Sequence, residues 1–209
     1  MCRHDRFVWI IESDPGLMHL LHRLRGLRLP QWRLVSGCLY QTVWNVLTDR
    51  ARGTGIKDYD LIYFDAGDPS WEAEDAVIRQ VAAATADCVG PVETRNQARV
   101  HLWFPQRFRC AYPQLASADD SLAFYASVVH AVGVRLEDDG RLNVIAPFGL
   151  DDVFAMVIRP NYALENAASH AAKAQQAKAI WPEVVVLPWQ AHPSRGDSRR
   201  GLPRPLAPA

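Results

Sequence analysis

The chain predicts a mixed α/β fold of the α+β kind, and three observations carry that expectation. Leu17, Leu20, Leu21 and Leu24 recur at helical spacing behind Asp14-Pro15, which suits a helix start with Asp at the cap and Pro in the first turn. The apolar run Leu61-Ile62-Tyr63-Phe64 and the segments 133–136 and 141–145 read as strands, the last two joined by an Asp-Gly hairpin turn. The Ala-rich segment 163–181 reads as a late helix that Trp181-Pro182 stops. With 209 residues, one domain is expected over 1–190, followed by a disordered Pro-, Arg- and Ser-rich tail at 191–209.

The stretch 36–65 organises the rest. Ser36-Gly37-Cys38 makes a small-residue turn, a helical pattern runs from Leu39 to about Thr48, and a loop rich in glycine and basic residues follows at 49–55. Asp58-Tyr59-Asp60 then heads the apolar run. Side chains at i and i+2 of a strand share a face, so both carboxylates project together, roughly 7 Å apart at the backbone. Such a pair repels itself unless a cation neutralises it. A hard divalent ion with oxygen ligands, Mg²⁺ or Mn²⁺, does so while also holding phosphate oxygens. A glycine turn at a helix start offers backbone N–H groups and a dipole to an anion. Together the two halves describe a nucleotide site.

That order of parts resembles the polymerase-β-type nucleotidyltransferase superfamily, whose signature is a Gly-Ser or Gly-Gly turn, a helix, and Asp-x-Asp on the next strand. Gly37-Cys38 stands at the place of the turn. The wider chain resembles a small bacterial family of nucleotidyltransferase-like proteins related to the head domain of CCA-adding enzymes. The segments GIKDYDLIYFD, SWEAED, VETRNQARVHLW, AVGVR and APFGLDDVFAMVIRPN carry this resemblance in order. It implies a polymerase-β-type core, with a mixed, mostly antiparallel sheet flanked by helices and a helical C-terminal extension. It implies Asp58 and Asp60 as catalytic metal ligands and Gly37 and Cys38 as nucleotide contacts. Glu93 is the match for a third carboxylate, as metal ligand or general base; a solvated glutamate at a strand entrance is the plainer reading. Asp152 and Arg159 match positions that order the nucleotide pocket, whereas structure alone makes Asp151 a helix cap and Arg159 a partner for a helix C-terminus.

The remaining elements follow in order. His19 and His22 share a face of the first helix but lack a third metal partner. Ser70 is a helix cap, with Glu72 and Glu74 favouring the positive end of the helix dipole; as metal ligands, Glu72, Glu74 and Asp75 are the weaker reading. Over 98–104 the residues alternate, which predicts a half-buried strand with a polar face bearing Arg99 and His101. Asn96, Arg99 and His101 are the nucleotide or acceptor contacts expected there, with a partly buried structural histidine the alternative for His101. Residues 117–120 are expected to cap a helix over about 122–132. Arg135, on the hairpin, either faces a triphosphate or pairs with the acidic turn Glu137-Asp138-Asp139. The stretch 146–154 is expected to open a helix that ends in Val157-Ile158-Arg159-Pro160-Asn161.

Composition narrows the function. Lys and Arg (23) balance Asp and Glu (23), so bulk electrostatics does not provide a grip on nucleic acid. Arg95, Arg99, Arg107 and Arg109 form either a local basic patch or a solvated face. Cys2, Cys38, Cys88 and Cys110 lack Cys-x-x-Cys spacing, which speaks against a structural zinc site and a disulfide framework. No apolar run reaches transmembrane length, so a reduced, soluble, cytoplasmic protein without a membrane partner is expected. The leading expectation is a transferase that moves a nucleoside monophosphate from ATP or another NTP to an acceptor hydroxyl. The acceptor, a small molecule, a protein or an RNA end, is left open. The alternative is a non-catalytic nucleotide- or RNA-binding module on the same fold. A phosphohydrolase would place its Asp-x-Asp after the apolar run, and here the run follows the pair.

Overall fold

Two helices lead in, α1 (Arg3–Glu12) and α2 (Pro15–Gly26). The structure, a computed structural model, describes residues 1–190. The disordered tail expected at 191–209 lies outside the described residues. Asp14 caps α2 as its sequence predicts: its Oδ1 accepts from the Gly16 and Leu17 amides, both at 3.0 Å. Leu17, Leu20, Leu21 and Leu24 are buried with Phe7, Ile10 and Ile11 of α1.

The next elements alternate: β1 (Arg33–Val35), α3 (Gly37–Leu47), β2 (Tyr59–Tyr63), α4 (Trp71–Ala84) and β3 (Val92–Asn96). Ser70 caps α4 through its Oγ and the Ala73 amide, 3.2 Å apart. A hairpin, β4 (Gly133–Leu136) and β5 (Leu142–Ile145), completes a five-stranded sheet of order β3-β2-β1-β4-β5. Only β2 and β3 run parallel. This is the mixed, mostly antiparallel sheet that the resemblance implied. Tyr59, Leu61 and Tyr63 point from β2 into the main core with α1, α2 and α3, while Ile62 joins Val35, Ala118, Leu122 and Ala131 on the other face. The helical extension is α7 (Ala167–Ile180), followed by β7 (Val185–Val186), which pairs with β6 (Val157–Ile158) as a separate two-stranded sheet. No helix among the described residues is long and apolar enough to cross a membrane.

Three local expectations are corrected. The alternating segment 98–104 is not a strand: β3 ends at Asn96, and α5 (Val100–Phe108) follows. The cause is the buried Asn96 side chain. Its Oδ1 accepts from the Asp65 and Ala98 amides and its Nδ2 donates to the Asp65 carbonyl, so the chain turns there. The alternation of Ala98, Val100, Leu102 and Phe104 therefore has no sheet to face, and Leu102 is half exposed. The helix expected over 122–132 is two short 3₁₀ turns, Asp119–Phe124 and Val128–His130. Between them the backbone is extended, because Val128 N–H donates to Arg159 O and Asn161 N–H to Ala126 O. The helix before Arg159 is a short α6 (Asp151–Ala155), closed by Met156 in the left-handed region (φ +54°), so that Val157 and Ile158 form β6. Leu150, not Asp151, is at its cap, and Asp151 pairs instead with Arg3.

Candidate active site

The start of α3 sits directly behind β1. Ser36 takes φ +62°, ψ −119°, a region that costs a residue bearing a Cβ about 1–3 kcal/mol. Its N–H is held by the Val132 carbonyl at 2.9 Å, and its side chain makes no capping bond. Gly37 is the first helical residue, and the chain at this point borders a cavity of about 400 Å³. Cys38 differs from the sequence expectation. Its side chain is buried in the core with Sγ donating to Val35 O at 3.7 Å, and burial, then Asp60, push its thiol well above the ordinary range. Only its backbone is left to meet a ligand.

Asp58 and Asp60 reach the same cavity from the start of β2, beside Lys57, with Tyr40 and Gln41 of α3 on one side and Lys173, Gln176 and Trp181 on the other. Asp60 lies on the face of Val35 and Ile62, opposite the packed face of Tyr59 and Leu61. Neither carboxylate accepts a hydrogen bond or pairs with a cation within ion-pair distance among the described residues. Asp60 is pushed up from 3.8 to about 6, by burial first and then by the Asp58 charge, against the pull of Lys173. Glu93 stands opposite Asp60 in the parallel β2–β3 register and adds to this repulsion; it is exposed. Asp58 and Asp60 on one cavity wall, with the exposed Glu93 across the register, are all oxygen donors of the kind that hard divalent cations take. The three carboxylates are not drawn tightly together, as expected of like charges without a counterion.

Among the described residues, His19, Asp87 and Cys88 are the group whose three potential ligand atoms lie within 4.8 Å of one another. Asp87 is already matched there by Arg23 at 3.0 Å and His19 at 3.2 Å, so the cluster is explained as an exposed ion-pair network.

The other expected contacts lie elsewhere, and none of them lines the cavity. Asn96 is three register steps along β3 from Glu93, about 10 Å away. Arg99 pairs with buried Glu74, whose other oxygen accepts from the Asn96 amide, and donates to Pro69 O at 3.1 Å. That interaction also accounts for Glu74, without a metal. His101 is on α5, its Nδ1 buried without a partner. Arg135 donates to Glu137 at 2.6 Å, the pairing with the acidic turn, and Arg159 pairs with Asp152 at 2.9 Å.

Sequence reasoning missed Ser36, Tyr40, Gln41, Lys57, Lys173, Gln176 and Trp181 as lining residues. Lys57 was legible as the neighbour of Asp58. Lys173 and Gln176 carried no signal, because polar residues on an Ala-rich helix read as its solvent face. Trp181 is buried, edge-on to Trp44 with ring centroids 5.3 Å apart, and its Nε1 donates to Asn45 Oδ1 at 3.1 Å. Gly55 (φ +79°) packs so closely on this ring that an added Cβ would run into it.

The mostly antiparallel sheet, the turn into α3 and the two aspartates at the next strand stand in the order that the sequence resemblance implied. The chain belongs to a nucleotidyltransferase family: the family described as "Nucleotidyltransferase" matches it over residues 22–186. The fold is also that of a solution structure described as revealing a CCA-adding enzyme head domain, with a TM-score of 0.72 and 21% identity over 88% of this chain and 96% of that one. No curated protein matches the chain.

Proposed function

We propose that this chain is a metal-dependent nucleotidyltransferase, moving a nucleoside monophosphate from an NTP to an acceptor hydroxyl and releasing pyrophosphate. The observation that carries this reading is Asp60. It is a mostly buried carboxylate on the Asp58 face, raised to about 6, without a hydrogen bond or ion pair among the described residues and bordering the cavity at the α3 start. Perturbed carboxylates bordering a cavity cluster at functional sites, and a bound cation would neutralise this one.

Asp58 and Asp60 would hold Mg²⁺ or Mn²⁺, and Glu93, across the β2–β3 register from Asp60, would join them or act as a base. When bound, the ion supplies positive charge that polarises the triphosphate and acidifies the attacking hydroxyl. The Gly37 amide and the α3 dipole orient phosphate oxygens. The acceptor oxygen attacks the α-phosphorus, the bond to the bridging oxygen of the β-phosphate breaks, and pyrophosphate leaves. Glu93 takes the hydroxyl proton on its carboxylate. This chemistry depends mainly on positioning and charge compensation.

The test is nucleotide binding with and without Mg²⁺ or Mn²⁺, across the NTPs, on the wild type and on Asp58→Asn/Asp60→Asn. Binding that needs metal and disappears in the double variant supports the site; binding indifferent to both removes it. The second reading, a non-catalytic binding module, draws on Glu93 being exposed and absent from the cavity lining. Metal-dependent binding with no pyrophosphate release across acceptors of all three classes would favour it.

A further inference from the structure

An NTP brings a triphosphate of about four negative charges into a cavity that already holds two carboxylates, so cations are required beyond a bound metal. The arginines expected to supply them are spent on protein carboxylates: Arg99 on Glu74, Arg135 on Glu137 and Arg159 on Asp152. Two cavity-lining cations, Lys57 and Lys173, have no ion-pair partner among the described residues. They come from opposite ends of the fold, one beside Asp58 ahead of β2 and the other on α7.

The two walls that carry them are tied to each other. Arg50, in the loop before Lys57, makes a two-pronged ion pair with Glu183, just past α7, at 3.0 and 3.2 Å. Gly55 of the same loop packs closely against the Trp181 ring, just past α7. An ammonium on a flexible stem suits a triphosphate, whose oxygens shift during transfer, because it acts as a point charge without a fixed fork geometry.

Building on the nucleotidyl-transfer reading, we propose that Lys57 and Lys173 clamp the β- and γ-phosphates and the departing pyrophosphate, so that α7 completes the site and selects triphosphates over monophosphates. Both side chains are exposed, so their replacement should leave the fold intact.

The test is calorimetric titration of the full chain at saturating Mn²⁺ with ATP, AMP and inorganic pyrophosphate. The proteins compared are the wild type, Lys57→Met, Lys173→Met, Lys173→Arg and Asp58→Asn/Asp60→Asn. The clamp predicts that each Met variant loses about 10- to 100-fold in affinity for ATP and pyrophosphate, keeps AMP affinity within about twofold, and that Lys173→Arg recovers most of the loss. Equal losses for ATP and AMP, or no loss, overturn the clamp. If the double Asp variant still abolishes metal-dependent ATP binding in that case, the Asp-pair reading survives. Wild-type protein that binds none of the three ligands overturns both.

Discussion

The two faces of β2 obey opposite rules. Tyr59, Leu61 and Tyr63 point into the helix-covered core, among apolar and aromatic side chains nearly free of water. One residue out of phase, Asp58 and Asp60 project to the cavity, where Asp60 is denied both full hydration and a protein partner. The inner face stabilises the fold. The outer face carries a carboxylate repulsion that neighbouring cations offset only in part.

The contrast is broken most severely from the outer face. Asp58→Asn/Asp60→Asn is expected to lower metal-dependent nucleotidyl transfer by about 10³-fold or more, measured as pyrophosphate release, with the secondary structure retained. Leu61→Ala is the matching change on the inner face: it should destabilise the protein by about 2–5 kcal/mol in denaturant unfolding, and impair activity only through the loss of folded protein.

The next prediction sharpens the contrast through pH. Because the folded pKa of Asp60 is raised from 3.8 to about 6, the native state favours its protonated form. The metal-free protein therefore keeps the full Asp60 contribution below about pH 4 and loses stability as the pH rises from there through 6. Asp60→Asn should remove that dependence and stabilise the metal-free protein at pH 7 by about 1–2 kcal/mol, after allowance for partial exposure. Added Mn²⁺ should raise the wild-type melting temperature at pH 7 and leave that variant's nearly unchanged. The smallest effect is expected at the tie between the walls. Arg50→Ala should cost under about 1 kcal/mol of stability, because the pair is partly exposed. If the clamp is right, it should still weaken ATP binding more than AMP binding in the same calorimetric assay.

Much of this arrangement was legible because it is local. The Asp14 and Ser70 caps, the leucine stripe of α2, the Asp-Gly hairpin and the Asp-x-Asp on one strand face each follow from residues within one turn or one strand. The errors arose where a distant partner decided. The segment 98–104 alternates like a strand, yet Asn96 bonds to Asp65 and turns the chain into α5. Residues 122–132 have helical composition, yet their backbone is diverted to pair with 159–161.

By itself, the sequence determined the elements from α2 to α4 and the β4–β5 hairpin, and the membership of β2's two faces, because periodicity and short-range spacing dictate where neighbouring side chains point. Lys57 borders the Asp58 and Asp60 pair by sequence adjacency, but tertiary structure alone decided which other cations do. Arg99, Arg135 and Arg159 were drawn to Glu74, Glu137 and Asp152, and only the packing of α7 brought Lys173 to the cavity. Charges pair with whatever the fold brings within a few ångströms, and that distance is not written in sequence separation.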